Sequence, residues 1–147
     1  MFQRILVPLD GSKTAERVLP IVAAEARLHG ATVVLLRAIA PLRQSLIMVP
    51  SVMENVYSQI EDIAQDYLES VSEKLREEGV EIETITKKGP PAQCILDIAV
   101  ELGVDLIIIS THGETDSPRW RFGSVANKVI RAKSDIPMLV VPTQGQH

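Results

Sequence analysis

The chain is poor in cysteine and in aromatics. Cys94 is the only cysteine, so there can be no internal disulfide and no thiolate zinc set. Aromatic residues make up 3%, which leaves the core to Ile, Leu, Val and Ala. No stretch reaches the roughly 18 consecutive apolar residues of a membrane span. The N-terminal MFQRILVPLDG lacks the long apolar core of a secretory signal. A cytoplasmic protein without a membrane partner is therefore expected. There is no basic excess either: the net charge is -4, and the positive field of a nucleic-acid binder is missing. No Gly-Lys-Ser/Thr marks a P-loop, no close-packed dinucleotide fingerprint occurs, and no Gly-x-Ser-x-Gly surrounds a serine. His29, His112 and His147 are too scattered to suggest a metal site.

What is present is an aliphatic chain, 46% apolar over 147 residues, a length that suits one domain spanning 1–147. Strand and helix patterns alternate along it. Gln3 to Leu9 reads as a strand with Pro8 near its end, where a missing N–H is tolerated. After Asp10-Gly11-Ser12, apolar residues from Ala15 to Ala26 recur at helical spacing, and Gly30 stops that helix. Ala31 to Ile39 is a second strand. Ser51-Val52-Met53-Glu54 matches a capping box. The helix it opens is expected to bury Val56, Ile60, Ile63, Tyr67, Val71 and Leu75, with its acidic residues facing water. Val80 to Thr86 alternates and reads as an edge strand. Gly89-Pro90-Pro91 opens a helix whose inner side carries Ile95, Ile98, Ala99 and Leu102. Leu106 to Ile109 is a strand buried on both faces, a helix follows from about Ser124 to Lys133, and Ile136 to Val141 is a fifth strand. The polar tail from Thr143 is expected to be loose.

This alternation predicts an open five-stranded parallel sheet with helices on both faces and right-handed crossovers. With the first strand central, the order is 3-2-1-4-5. The ligand crevice then lies at the carboxyl ends of strands one and four, where the order reverses. Pro8-Leu9-Asp10 and Ser110 to Gly113 meet there.

The chemistry of those loops leaves alternatives open. Gly113 and Gly123-Ser124, one before and one at the mouth of a helix, suit an anion such as a phosphate; a plain turn and a helix cap at Ser124 are the competing readings. Asp10 can bond ribose hydroxyls, cap a turn, or do both. His112 can act in acid–base chemistry or hold the loop by hydrogen bonds. Glu114, Asp116, Arg119 and Arg121 can meet a metal or an anion, or simply face water. Trp120 can cover a ligand or pin its loop. Cys94 reads as inert core.

The segments ILVPLDGS (Ile5 to Ser12), GVDLIIISTHG (Gly103 to Gly113), FGSVANKVI (Phe122 to Ile130) and IPMLVVP (Ile136 to Pro142) resemble the universal stress protein family over nearly the whole chain. The family's nucleotide-binding branch carries Gly-x-x-Gly, nine residues, Gly-Ser/Thr. Gly113, Glu114 to Phe122, and Gly123-Ser124 fit that spacing. Ser110 stands at the first glycine, and Glu114 at a position often basic in the family.

The resemblance implies a Rossmann-like, adenine nucleotide alpha hydrolase-like fold and a regulatory protein of the stress response. Its cofactor would be ATP, or AMP or ADP, with or without magnesium. Pro8, Leu9 and Asp10 would border the adenosine, with Asp10 on the ribose, and Ala38 would lie by the adenine. Ser110, His112, Gly113, Gly123, Ser124 and Val125 would wrap the phosphates. It also implies a homodimer paired through Met138 to Val141. Catalysis would amount at most to slow ATP hydrolysis. The alternatives are a nucleotide-free dimeric interaction module of the same family and a true adenylating or phosphatase enzyme.

Overall fold

The computed structural model describes residues 1–41, 49–112 and 123–143. Five parallel strands form its centre: β1 (Arg4–Pro8), β2 (Thr32–Ile39), β3 (Glu81–Lys88), β4 (Leu106–Ser110) and β5 (Met138–Val141). They lie in the order β3-β2-β1-β4-β5, the order read from the sequence. The four crossovers contain α1 (Leu19–His29), α2 (Pro50–Glu77), α3 (Pro91–Glu101) and α4 (Ser124–Arg131).

The layering follows from handedness. The chain steps from β1 through β2 to β3, then returns past β1 to β4 and β5. Right-handed crossovers must therefore put α1 and α2 on one face and α3 and α4 on the other. The two cores confirm it. Ile5, Val7, Val33, Leu35 and Ile108 pack with Val22 and Ala26 of α1 and Leu68, Val71 and Leu75 of α2. Leu6, Val34, Leu36, Ile107 and Ile109 pack with Cys94, Ile95 and Ile98 of α3 and Val129 of α4. The central strands are apolar on both faces because both faces are covered. Each fully buried Leu or Ile contributes about 1.5–3 kcal/mol against exposure.

Several boundaries shift from the sequence reading, and three of the shifts have a visible cause. The first helix opens as a 3-10 turn at Ala15–Val18, and regular α geometry begins at Leu19. Pro20 explains the break, since it cannot donate to a carbonyl four residues back. The helix α4 ends at Arg131, and Lys133 takes a left-handed φ of 54° that cannot continue it. The strand β5 starts after Pro137, whose carbonyl accepts from Ile107 N at 3.0 Å although its nitrogen cannot donate.

The larger correction concerns α2. No capping box forms: the N-cap is Val49, with Pro50 at the first helical position and no side-chain cap. The expected stripe faces the sheet only in its second half, where Val71 and Leu75 are buried and Tyr67 packs against the core. The buried residues are Ala64, Leu68, Val71, Ser72 and Leu75, while Ile63 is 69% exposed. The reason is length. At 28 residues the helix spans about 42 Å, whereas its flanking strands of 8 residues span about 26 Å. Its first turns overhang the carboxyl end of the sheet, and only the second half has a core to meet.

Candidate functional site

At the reversal of strand order, β1 and β4 each end in a tight polar turn. Beyond Pro8, Leu9 N still donates to Leu36 O at 2.9 Å, which holds the exit of β1 against β2. The chain then turns at Asp10-Gly11-Ser12. Asp10 Oδ1 accepts from Ser12 N at 2.9 Å and from Ser12 Oγ at 2.5 Å. Ser12 Oγ in turn accepts from Ala15 N at 3.1 Å, capping the 3-10 turn. Gly11 carries the bend with φ 85°, a conformation that favours glycine. The capping role weighed for Asp10 is thus real, and it leaves the carboxylate at the crevice.

The exit of β4 is held by a buried polar knot. Thr111 N donates to Val141 O at 2.9 Å. Thr111 Oγ1 lies 2.9 Å from His112 Nδ1 and accepts from Thr143 N at 3.1 Å. His112 N donates to Thr143 Oγ1 at 3.3 Å. Arg17, from the 3-10 turn, closes the knot by donating Nη1–H to Thr143 O at 2.9 Å. Thr111, His112 and Thr143 are all 5% exposed or less. Their mutual bonds meet the cost of burying polar groups. His112 is therefore a holding residue in this arrangement, and Thr143 is fixed rather than part of a loose tail.

Ser110 ends β4, and its hydroxyl donates to His112 O at 3.0 Å. It does not adopt a positive φ; among the described residues only Lys133, apart from glycines, does. A serine is therefore compatible with the backbone at this point. Gly123 is the N-cap of α4, extended at φ -68° and ψ 165°, and its N–H bonds Thr111 O. Ser124 is the first helical residue, and the N-cap position belongs to Gly123 instead.

Between these turns lies a cavity of about 220 Å³. Of the residues singled out in the sequence, Pro8, Leu9, Asp10, Ala38, Ser110, His112, Ser124 and Val125 line it. Gly123 adjoins it at the N-cap of α4 but is not among the lining residues. Gly113, Glu114, Asp116, Arg119, Trp120, Arg121 and Phe122 fall outside the described residues. Sequence reasoning missed Ala15, Pro91, Ile95, Ile109, Thr111 and Ala126, which complete the wall. Pro91 and Ile95 carried a signal, since a helix starting at Pro91 points its first turn at the carboxyl edge of the sheet. Thr111 adjoins a chosen residue and was passed over for its plainness.

The cavity is divided chemically. Pro8, Ala38, Pro91, Ile95, Ile109 and Val125 make an apolar slot fit for a flat ring. Asp10 offers a carboxylate. Ser110 and the first turn of α4 offer hydroxyls and N–H groups, and the helix dipole there favours an anion. Asp10 is the only carboxylate among the described lining residues. Among the described residues no cluster of three or more His, Cys, Asp or Glu could hold a metal. No helix among the described residues is long and apolar enough to cross a membrane.

Comparison with known proteins agrees with this architecture. The pattern that defines the universal stress protein family matches residues 1–142. Universal stress protein MJ0577 of Methanocaldococcus jannaschii is 32% identical, covering 96% of this chain and 95% of its own length. A solved structure of MJ0577 superposes with a TM-score of 0.86 at 33% identity, over 99% of both chains. YxiE of Bacillus subtilis is 32% identical over 96% of this chain and 99% of its own. A universal stress protein of Archaeoglobus fulgidus, solved in complex with dAMP, is 30% identical with a TM-score of 0.67, covering 95% of this chain and 98% of its own.

Proposed function

The chain belongs to the universal stress protein family, and on that premise we propose that it binds ATP or a related adenine nucleotide in the cavity between β1 and β4, as a regulatory protein of the cytoplasmic stress response. The observation that carries this reading is the cavity itself. It joins an apolar slot, the Asp10 carboxylate and the N-terminus of α4 in one cavity. An adenine ring, a ribose and a phosphate tail need those three environments. The dAMP complex of the Archaeoglobus fulgidus relative supports the same ligand class.

In this reading the adenine lies by Ala38, Pro8 and Leu9 border the adenosine, and Val125 stands with the phosphate-wrapping residues of α4. Asp10 accepts from the ribose. Ser110, His112, Gly113, Gly123 and Ser124 wrap the phosphates, chiefly through backbone N–H groups. Hydrolysis is slow at best, because His112 is engaged in the knot with Thr111 and Thr143. The protein works as a homodimer joined through β5, where Leu139 is 36% exposed on an edge strand.

The test is direct. The purified protein is denatured and released adenine nucleotide is sought by chromatography; ATP is then titrated with and without magnesium. Bound nucleotide, or binding at millimolar ATP or below, is expected. Its absence in both assays would leave the nucleotide-free interaction module as the better reading. Gly123→Val is expected to abolish binding while the dimer persists; loss of the dimer as well would mean that Gly123 serves the fold.

A further inference from the structure

Arg37 breaks a pattern. On β2, Val33 and Leu35 enter the core beneath α1 and α2, and residue 37 is next on that face. An aliphatic side chain would continue the row. Instead a guanidinium lies there, and its Nη1 is buried with no hydrogen-bond partner. An unpaired buried N–H of a cation is costly, so its retention asks for a reason.

Its neighbours supply one. The guanidinium carbon sits 5.7 Å from the centroid of Tyr67, a cation–π arrangement. Tyr67 is fixed by donating its hydroxyl to Glu16 Oε2 at 3.1 Å. Burial, then the charge of Glu16, holds the Tyr67 phenol protonated well beyond its ordinary range, and the negative charge of Asp10 adds to that effect. Gly11 also lies against the guanidinium. A Cβ placed on Gly11 would collide with Arg37 Nη1, so the backbone of the turn rests directly on the guanidinium. The turn is the one that carries Asp10. It is held internally by Ser12 and supported from beneath by Arg37. Arg37 itself does not line the cavity.

We infer that Arg37 is a positioning residue for the ribose end of the site: by supporting the Asp10-Gly11-Ser12 turn it aims the Asp10 carboxylate, and so it sets discrimination between ribonucleotides and 2′-deoxyribonucleotides. This rests on the nucleotide reading above. The experiment measures Kd for ATP and for 2′-deoxy-ATP by calorimetry on the full chain, in wild type, Asp10→Asn, Arg37→Met and Arg37→Gln.

Wild type is expected to prefer ATP by about tenfold or more, the worth of a hydrogen bond to a charged group. Asp10→Asn and both Arg37 variants are expected to bring the ratio to within about threefold of unity, and the Arg37 variants to leave deoxy-ATP binding within about threefold of wild type. A purely structural Arg37 would weaken both nucleotides alike and keep the wild-type ratio. Retention of that ratio in either folded Arg37 variant overturns the inference. Should Asp10→Asn lose the preference while both Arg37 variants keep it, the inference falls and the nucleotide reading stands. Should wild type bind neither nucleotide, the reading falls and the inference with it.

Discussion

Tyr67 and Cys94 show what burial does to a titrating side chain. Both have their pKa raised, Cys94 from 9.0 and Tyr67 from 10.0, with burial the largest cause in each. A raised folded pKa means that the unfolded chain loses its proton first as pH rises. The contribution to stability is full below the unfolded value and is lost above it. Alkaline conditions should therefore destabilise the protein. Tyr67 contributes to that loss above pH 10, because the unfolded phenol ionises before the folded one. Urea unfolding followed from pH 8 upward should show Tyr67→Phe falling less steeply than wild type beyond that point. Equal slopes would mean that Tyr67 ionises as readily folded as unfolded. At this same scale the sequence was unevenly informative. Asp10 and Pro8 were legible because the end of a strand at a reversal of order has only one place to be. Arg17 and Thr143 were not, because their bond joins residues 126 positions apart and neither belongs to a motif.

The helix α2 teaches a different lesson. Its apolar periodicity was clear, yet the inward face was assigned to the wrong residues in its first half. Periodicity reports where a helix is amphipathic; it does not report where the sheet ends. Beyond the last strand residue the spacing of Val56, Ile60 and Ile63 continues with no core behind it. Two substitutions on this one element should separate the faces. Leu68→Ala, at a fully buried position, is expected to cost about 2–5 kcal/mol in chemical denaturation. Ile63→Glu, at a position 69% exposed, is expected to stay within about 0.5 kcal/mol. A large loss from Ile63→Glu would restore the stripe expected from sequence.

For the whole molecule, topology was the most legible property. Alternating strand and helix patterns, one-handed crossovers and a central first strand leave few arrangements, and the observed order is among them. Assembly is less legible, since a short apolar edge strand serves a sheet end or a partner equally well. Of the β5 residues, Val141 is buried while Leu139 is 36% exposed. If two copies pair through this edge, Leu139→Glu should weaken self-association at least tenfold, about 1.4 kcal/mol, in sedimentation equilibrium. The fold and the fluorescence of the single tryptophan should not change. An unaffected dimer would place the interface elsewhere.

The knot around Thr143 also bears on how the protein is made. Ile5 in the middle of the sheet waits for Leu106 before its second edge is paired. The floor of the cavity waits longer still, until Thr143 reaches Thr111, His112 and Arg17. During synthesis the ribosome must therefore release the chain past Thr143 before these bonds form. Until then a growing chain carries β1 with one apolar edge open. A copy cut short before Thr143 would lack the bonds that shape the exit of β4.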